Sequence, residues 1–242
     1  MNLFLDAFAW IFSPDRLTGS LPLPVAIGQH LAFTFGSVIV AALIAIPAGW
    51  AIGHTGRGRE FAVALSGAAR AVPTLGLVVL LYLLVGVAYK SQAAVVAFVI
   101  LAIPSILAGA YAGFEAIDRA VVSAARAVGM TPWQVLWKVE VPLGLPLLIG
   151  GIRSATLQVV ATVTIATYVG LGGLGFYIIQ GIQLRDTAQI LGASILVVAL
   201  ALLLDGLFAL VQRVLVPRGV RARTAAPARR SGGAARAVPL PS

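Results

Sequence analysis

Three groups of residues in this 242-residue chain have types and spacings that could do chemistry. The first is GLGGLG, Gly170 to Gly175, which satisfies the G-x-G-x-x-G pattern of a dinucleotide cradle. That cradle needs a strand before it, a helix after it and an acid about 20 residues on. Here a long apolar run precedes it, and the next acid, Asp186, comes only 11 residues after Gly175. The glycines suit a different purpose, letting the end of an apolar helix bend back and pack closely. No G-x-x-x-x-G-K-[ST] loop exists either, since Lys90 follows Tyr89 and Lys138 follows Trp137. ATP hydrolysis therefore has no phosphate loop on this chain. The second group is the pair His30 and His54, and no cysteine joins them, so a thiolate metal site or a disulfide framework is excluded. The third group is Arg70, Arg153 and Asp205, three charges set inside long apolar runs.

Those runs decide the solvent. Hydrophobic residues make up 60% of the chain and charged residues 10%, against about 25% charged in a typical soluble domain. Such a chain cannot fold its apolar surface into one buried core, and lipid must cover it. Five stretches reach the roughly 20 apolar residues of a membrane span: about 29–53, 61–86, 92–114, 143–169 and 188–212. They are continuous rather than alternating, so the chain is an all-α membrane protein rather than a barrel. Pro47, Pro73, Pro104 and Pro146 fall inside or at the ends of these runs, where membrane helices tolerate proline. No internal repeat supports an inverted-repeat carrier. In this setting His30 and His54 read as membrane-edge residues rather than ligands.

Charges within a span are costly and usually find partners inside the bundle. Arg70 and Arg153 each lie about ten residues in from the same side, and Asp205 stands eight residues before Arg213 at similar depth. The expectation is that Asp205 pairs with one of the two arginines, the alternative being that each arginine snorkels to the rim. Thr156, Thr164 and Thr167 share a helical face with Arg153. Their hydroxyls either bond their own backbone or line a pathway.

Cationic residues set the orientation. With the 54–60 loop, the 115–142 segment and the C-terminal tail on the cytoplasmic side, twelve Lys and Arg lie inside and three (Arg16, Lys90 and Arg185) outside. The N-terminus is then outside and the C-terminus in the cytoplasm. Residues 1–28 form an extracytoplasmic segment whose Leu3, Phe4, Ala7, Phe8 and Ile11 make a short interfacial helix. Asp6 and the missing n-region charge argue against a cleaved leader. Residues 29–216 form the transmembrane domain, and 217–242 a basic, disordered tail suited to anionic lipid heads rather than nucleic acid.

One polar insert remains, SAARAVGMTPWQVLWKVEVP, residues 123–142. It reads as a helix, a turn at Gly129 to Pro132, and a second short helix. Thr131 is the N-cap, Pro132 takes the first helical position and Gln134 completes a capping box. Trp133 and Trp137 fall on one face, and small Ala124 and Ala125 admit a close neighbour. Helices so paired on a cytoplasmic loop make a docking knob for a soluble chain.

The spacing Ser123-Ala124-Ala125, three residues, Gly129, nine residues, Val139-Glu140-Val141-Pro142 resembles the signature loop of the membrane permease subunits of binding-protein-dependent ABC importers. That loop runs Glu-Ala-Ala, three residues, Gly, nine residues, Ile-x-Leu-Pro. Ala124, Ala125, Gly129 and Pro142 match, Val139 and Val141 are conservative, and Ser123 departs from the glutamate. AIGHTGRG, ARAVPTLGL and YVGLGGLGFYIIQGIQLRD fall in order around it, so the resemblance covers nearly the whole chain. It is most similar to the osmoprotectant branch. The resemblance implies a five-span permease fold like that of methionine importers, in a bacterial cell membrane, with coupling helices between spans 3 and 4. It implies ATPase subunits that hold ATP and Mg, an extracytoplasmic substrate-binding protein, and a second permease chain. No cofactor is implied on this chain. The cargo implied is glycine betaine, choline, carnitine or similar quaternary ammonium compounds. An amino-acid permease, for methionine as an example, is the nearest rival, and a self-sufficient channel or proton-coupled carrier the rival from another class.

Overall fold

The structure, a computed structural model, describes residues 2–215, apart from the side chains of Phe61, Leu65, Ala69 and Arg70. The tail 217–242, expected to be disordered, lies outside the described residues. Ten α-helices follow in order: α1 Leu3–Phe12, α2 Leu23–Thr55, α3 Arg59–Ala71, α4 Thr74–Val85, α5 Lys90–Glu115, α6 Arg119–Ala127, α7 Pro132–Val135, α8 Val141–Ala166, α9 Gly175–Leu184 and α10 Thr187–Leu215. No strand occurs among the described residues. Among the described residues, four helical stretches are long and apolar enough to cross a membrane, Leu23–Thr55, Val87–Glu115, Pro132–Val169 and Thr187–Leu215.

The expected second span, 61–86, is not one helix. It divides into α3 and α4 at Val72 and Pro73, where Val72 turns extended at φ −73 and ψ 125. Proline disfavours the α region in the residue before it and offers no N–H to the turn. Pro47, Pro104 and Pro146, by contrast, sit within unbroken helices.

At the centre stands α5, packed along α2 on one side and α8 on the other. Its inner face is built of small residues, Ala93, Ala94, Ala97, Ala102 and Ala110 among them, around Phe98 and Ile106. Small residues let helices approach where lipid supplies no hydrophobic drive between them. A Cβ on Gly113 would lie 2.6 Å from the Gly144 carbonyl oxygen of α8, and one on Gly151 2.6 Å from the Ser105 carbonyl oxygen of α5. α1 lies against α10, where Ala7 and Trp10 close over Gly192. Phe4, Phe8 and Phe12 of α1 stay exposed.

Candidate functional site

The polar insert folds as a capped hairpin at one end of the bundle. Asp118 caps α6 by accepting the Ala120 N–H at 2.9 Å. Gly129 then reverses the chain at φ +86, and the Met130 N–H reaches back to the Ala125 carbonyl, a left-handed close that glycine adopts without strain. The Thr131 N–H donates to Gln134 Oε1 at 2.9 Å, and the Gln134 N–H donates to Thr131 Oγ1 at 3.3 Å. Both halves of the capping box are present. Ala125 and Val135 face inward and are buried, while Ala124, Gly129 and Trp133 are exposed, Trp133 by 67%.

Pro142 does not end the second helix. After four residues of α7 the chain widens into a π segment, Leu136–Glu140, and runs straight into α8. The Val141 N–H bonds the Leu136 carbonyl, five residues back. Placed in the first turn of α8, Pro142 withholds an N–H that the widened turn does not require. Val139 and Pro142 are half-buried in this passage.

Side chains fasten the hairpin to α2. Trp137 meets Trp133 edge to face at 5.6 Å and Trp50 of α2 at 5.5 Å, and Trp50 stacks on Phe114 of α5 at 6.2 Å. One turn further along α2, His54 Nδ1 stands 2.5 Å from Glu140 Oε2. His54 therefore has a specific partner beyond its place near a helix end.

Between α8 and α10, Arg153 and Asp205 form a two-pronged pair, with Nε to Oδ1 at 2.5 Å and Nη2 to Oδ2 at 2.6 Å. The Arg70 side chain is outside the described ones. Thr156 donates to the Ile152 carbonyl and Thr164 to the Val160 carbonyl, each four residues back. Of the two readings of the threonine face, these bonds follow the first, hydroxyls spent on their own helix. Thr167 Oγ1 is buried and makes no hydrogen bond among the described residues.

His30, expected at the membrane edge, is instead fully buried. Its Nε2 lies 3.1 Å from the Val160 carbonyl and its Nδ1 3.4 Å from the Leu174 N–H. A carbonyl only accepts and an N–H only donates, so these partners select the neutral ring protonated on Nε2. Beside it, Gln29 Oε1 accepts the Gly173 N–H at 3.1 Å, and Lys90 Nζ donates to the Gly170 carbonyl at 2.9 Å. The glycine run is thus tied down by α2 and α5. Two of the amides that a pyrophosphate would need already have partners, which removes the dinucleotide reading on geometry as well. On the same side, Asp15, Arg16, Tyr177, Gln180 and Gln189 line an open cavity of about 260 Å³.

The sequence gives no sign of the His30 and His54 contacts, because their partners stand 130 and 86 positions away. Helices long and apolar enough to cross a membrane, joined to a capped polar hairpin, describe a membrane protein. Over residues 43–221 the chain matches the model for binding-protein-dependent transport system inner membrane components, and it belongs to that family. It is therefore a transport component, a multi-pass protein of the bacterial membrane. It is 28% identical over 194 residues to a glycine betaine/carnitine/choline transport system permease protein of Bacillus subtilis, covering 80% of this chain and 88% of that one. An osmoprotectant import permease protein of Salmonella typhimurium is 32% identical over 199 residues, covering 80% and 91%. A carnitine transport permease protein of Listeria monocytogenes is 33% identical over 190 residues, covering 78% and 84%. Among solved structures, an inward-facing form of the MetNI methionine ABC transporter matches with a TM-score of 0.70, at 24% identity, over 79% of this chain and 95% of that one. That likeness concerns the fold.

Proposed function

We propose that this chain is the translocation subunit of an ATP-driven importer of quaternary ammonium osmoprotectants such as glycine betaine. The observation that carries the reading is sequence similarity across about four-fifths of the chain to permease proteins named for glycine betaine, carnitine and choline, for carnitine, and for osmoprotectants in three organisms. The likeness to a methionine transporter lies in the fold at 24% identity, and does not favour methionine as cargo. In this reading the hairpin 115–142 faces the cytoplasm and docks on an ATPase subunit that holds ATP and Mg. A second permease chain completes the path, and an extracytoplasmic binding protein delivers the cargo. Arginines do not hold the quaternary ammonium; aromatic faces and carbonyls suit it. Transport proceeds as a two-state exchange between inward- and outward-facing forms, biased by ATP and by the loaded binding protein.

The test is reconstitution in lipid vesicles. The chain with its ATPase and binding protein should accumulate radiolabelled glycine betaine when ATP is supplied, and the chain alone should pass none. Flux through the chain alone would support the channel or carrier reading, and accumulation of methionine but not betaine the amino-acid one.

A further inference from the structure

We propose that His54 and Glu140 form the joint through which the docking hairpin moves the first span, and that α2 carries this motion to the glycine run at the far end of the bundle. The inference rests on the transport reading above.

Glu140 is 6% exposed, and a carboxylate so enclosed needs a partner to offset its lost hydration. That partner comes from a helix 86 residues away in sequence. It is not an isolated contact. Four residues before His54 stands Trp50, and three residues before Glu140 stands Trp137, and these rings meet at 5.5 Å. A polar rung and an aromatic rung on adjacent turns hold α2 to the π segment, so neither helix turns freely against the other. Phe114 of α5 packs beside these rungs, stacked on Trp50 and lying 2.8 Å from where a Cβ on Gly53 would stand.

At its other end α2 holds Gly173 through Gln29, and Leu174 and the Val160 carbonyl through His30. Between His30 and His54 runs one continuous helix, about 36 Å at 1.5 Å per residue. One end of this rod thus grips the π segment that leads into α8, and the other grips α8 and the run that follows it. A displacement of the hairpin reaches the glycine run through hydrogen bonds and ring contacts rather than through loosely packed loops.

The protein has no cysteine, so spin labels can be placed on Val25→Cys and Tyr168→Cys, two exposed positions near the glycine-run end. Their separation is measured in the assembled complex with its ATPase, with and without ATP and vanadate. The wild-type background should show a nucleotide-dependent shift. His54→Ala and Glu140→Ala should keep the ATPase bound through affinity purification yet lose the shift. Their glycine betaine uptake per ATP hydrolysed should fall about tenfold. The double variant should be no worse than either single one, and the exchanged pair His54→Glu/Glu140→His should regain the shift. A full shift in either single variant, additive losses, loss of the ATPase itself, or no shift in the wild type would each overturn the joint. Absence of betaine uptake by the wild type with the shift intact would sink the substrate reading while supporting the joint.

Discussion

Arg153 and Asp205 bind fork to fork across α8 and α10, each guanidinium contact with its own carboxylate oxygen. The two side chains remain 34% and 31% exposed, so the pair sits on the flank of the bundle rather than in its core. Two turns away, Gln212 Nε2 donates to the Pro146 carbonyl at 3.0 Å and ties the same two helices. α10 otherwise presents mostly large apolar side chains outward, which leaves these polar ties to fix its register on α8. Asp205→Ala should leave the Arg153 charge without its partner in the span. Membrane-inserted yield should drop, and Arg153→Asp/Asp205→Arg should recover most of it. Wild-type yield and thermal stability in Asp205→Ala would show that the pair does not hold the helices.

The two tryptophans of the hairpin differ in their surroundings, and their variants should differ in turn. Trp133 is the more exposed and Trp137 touches α2. Trp133→Ala should weaken co-purification of the ATPase, whereas Trp137→Ala should keep the ATPase and lower transport per ATP. The double variant should insert normally and fail to couple. Wild-type transport by the double variant would remove the docking role from both.

Two glycines of one run should respond differently to a methyl group. A Cβ on Gly175 would stand 2.1 Å from the Thr164 carbonyl oxygen, a backbone atom that cannot swing away. A Cβ on Gly172 would meet the tip of Gln29 at 1.9 Å, and that side chain can move at the cost of its bond to Gly173. Gly175→Ala should therefore destabilise more, by about 1–3 kcal/mol, read as a lower melting temperature in detergent. Gln29→Ala should relieve Gly172→Ala and leave Gly175→Ala unchanged.

Removing the capping box tests the hairpin itself. Thr131→Ala deletes the acceptor for the Gln134 N–H and should cost about 1 kcal/mol of local helix stability. Faster amide exchange confined to residues 131–136 is the expected signature, with the spans unaffected.

The spans and the hairpin were legible because each rests on local rules. Apolar length marks a crossing, and Thr131, Pro132 and Gln134 mark a helix start whatever surrounds them. The Arg153–Asp205 pairing was legible too, since burying charge in lipid leaves few solutions and the depths matched. Pro73 was not. Four prolines looked alike in sequence, yet only at Pro73 does an extended preceding residue break the helix. The burial of His30 and the Glu140 partner of His54 depend on how α2 lies against α8, which no local pattern encodes. The passage through Pro142 was not legible for a related reason, because the five-residue return at Val141 has no local signature.

That π segment also sets an angle. One residue more than an α turn requires is stored between the hairpin and the fourth span, and each helical residue is worth about 100° of rotation. Wound as plain α-helix over the same number of residues, this passage would swing the tryptophan face around the helix axis by about that amount. The direction in which this chain presents its hairpin is therefore fixed by a count of residues, much as the timing of a gear is fixed by one tooth.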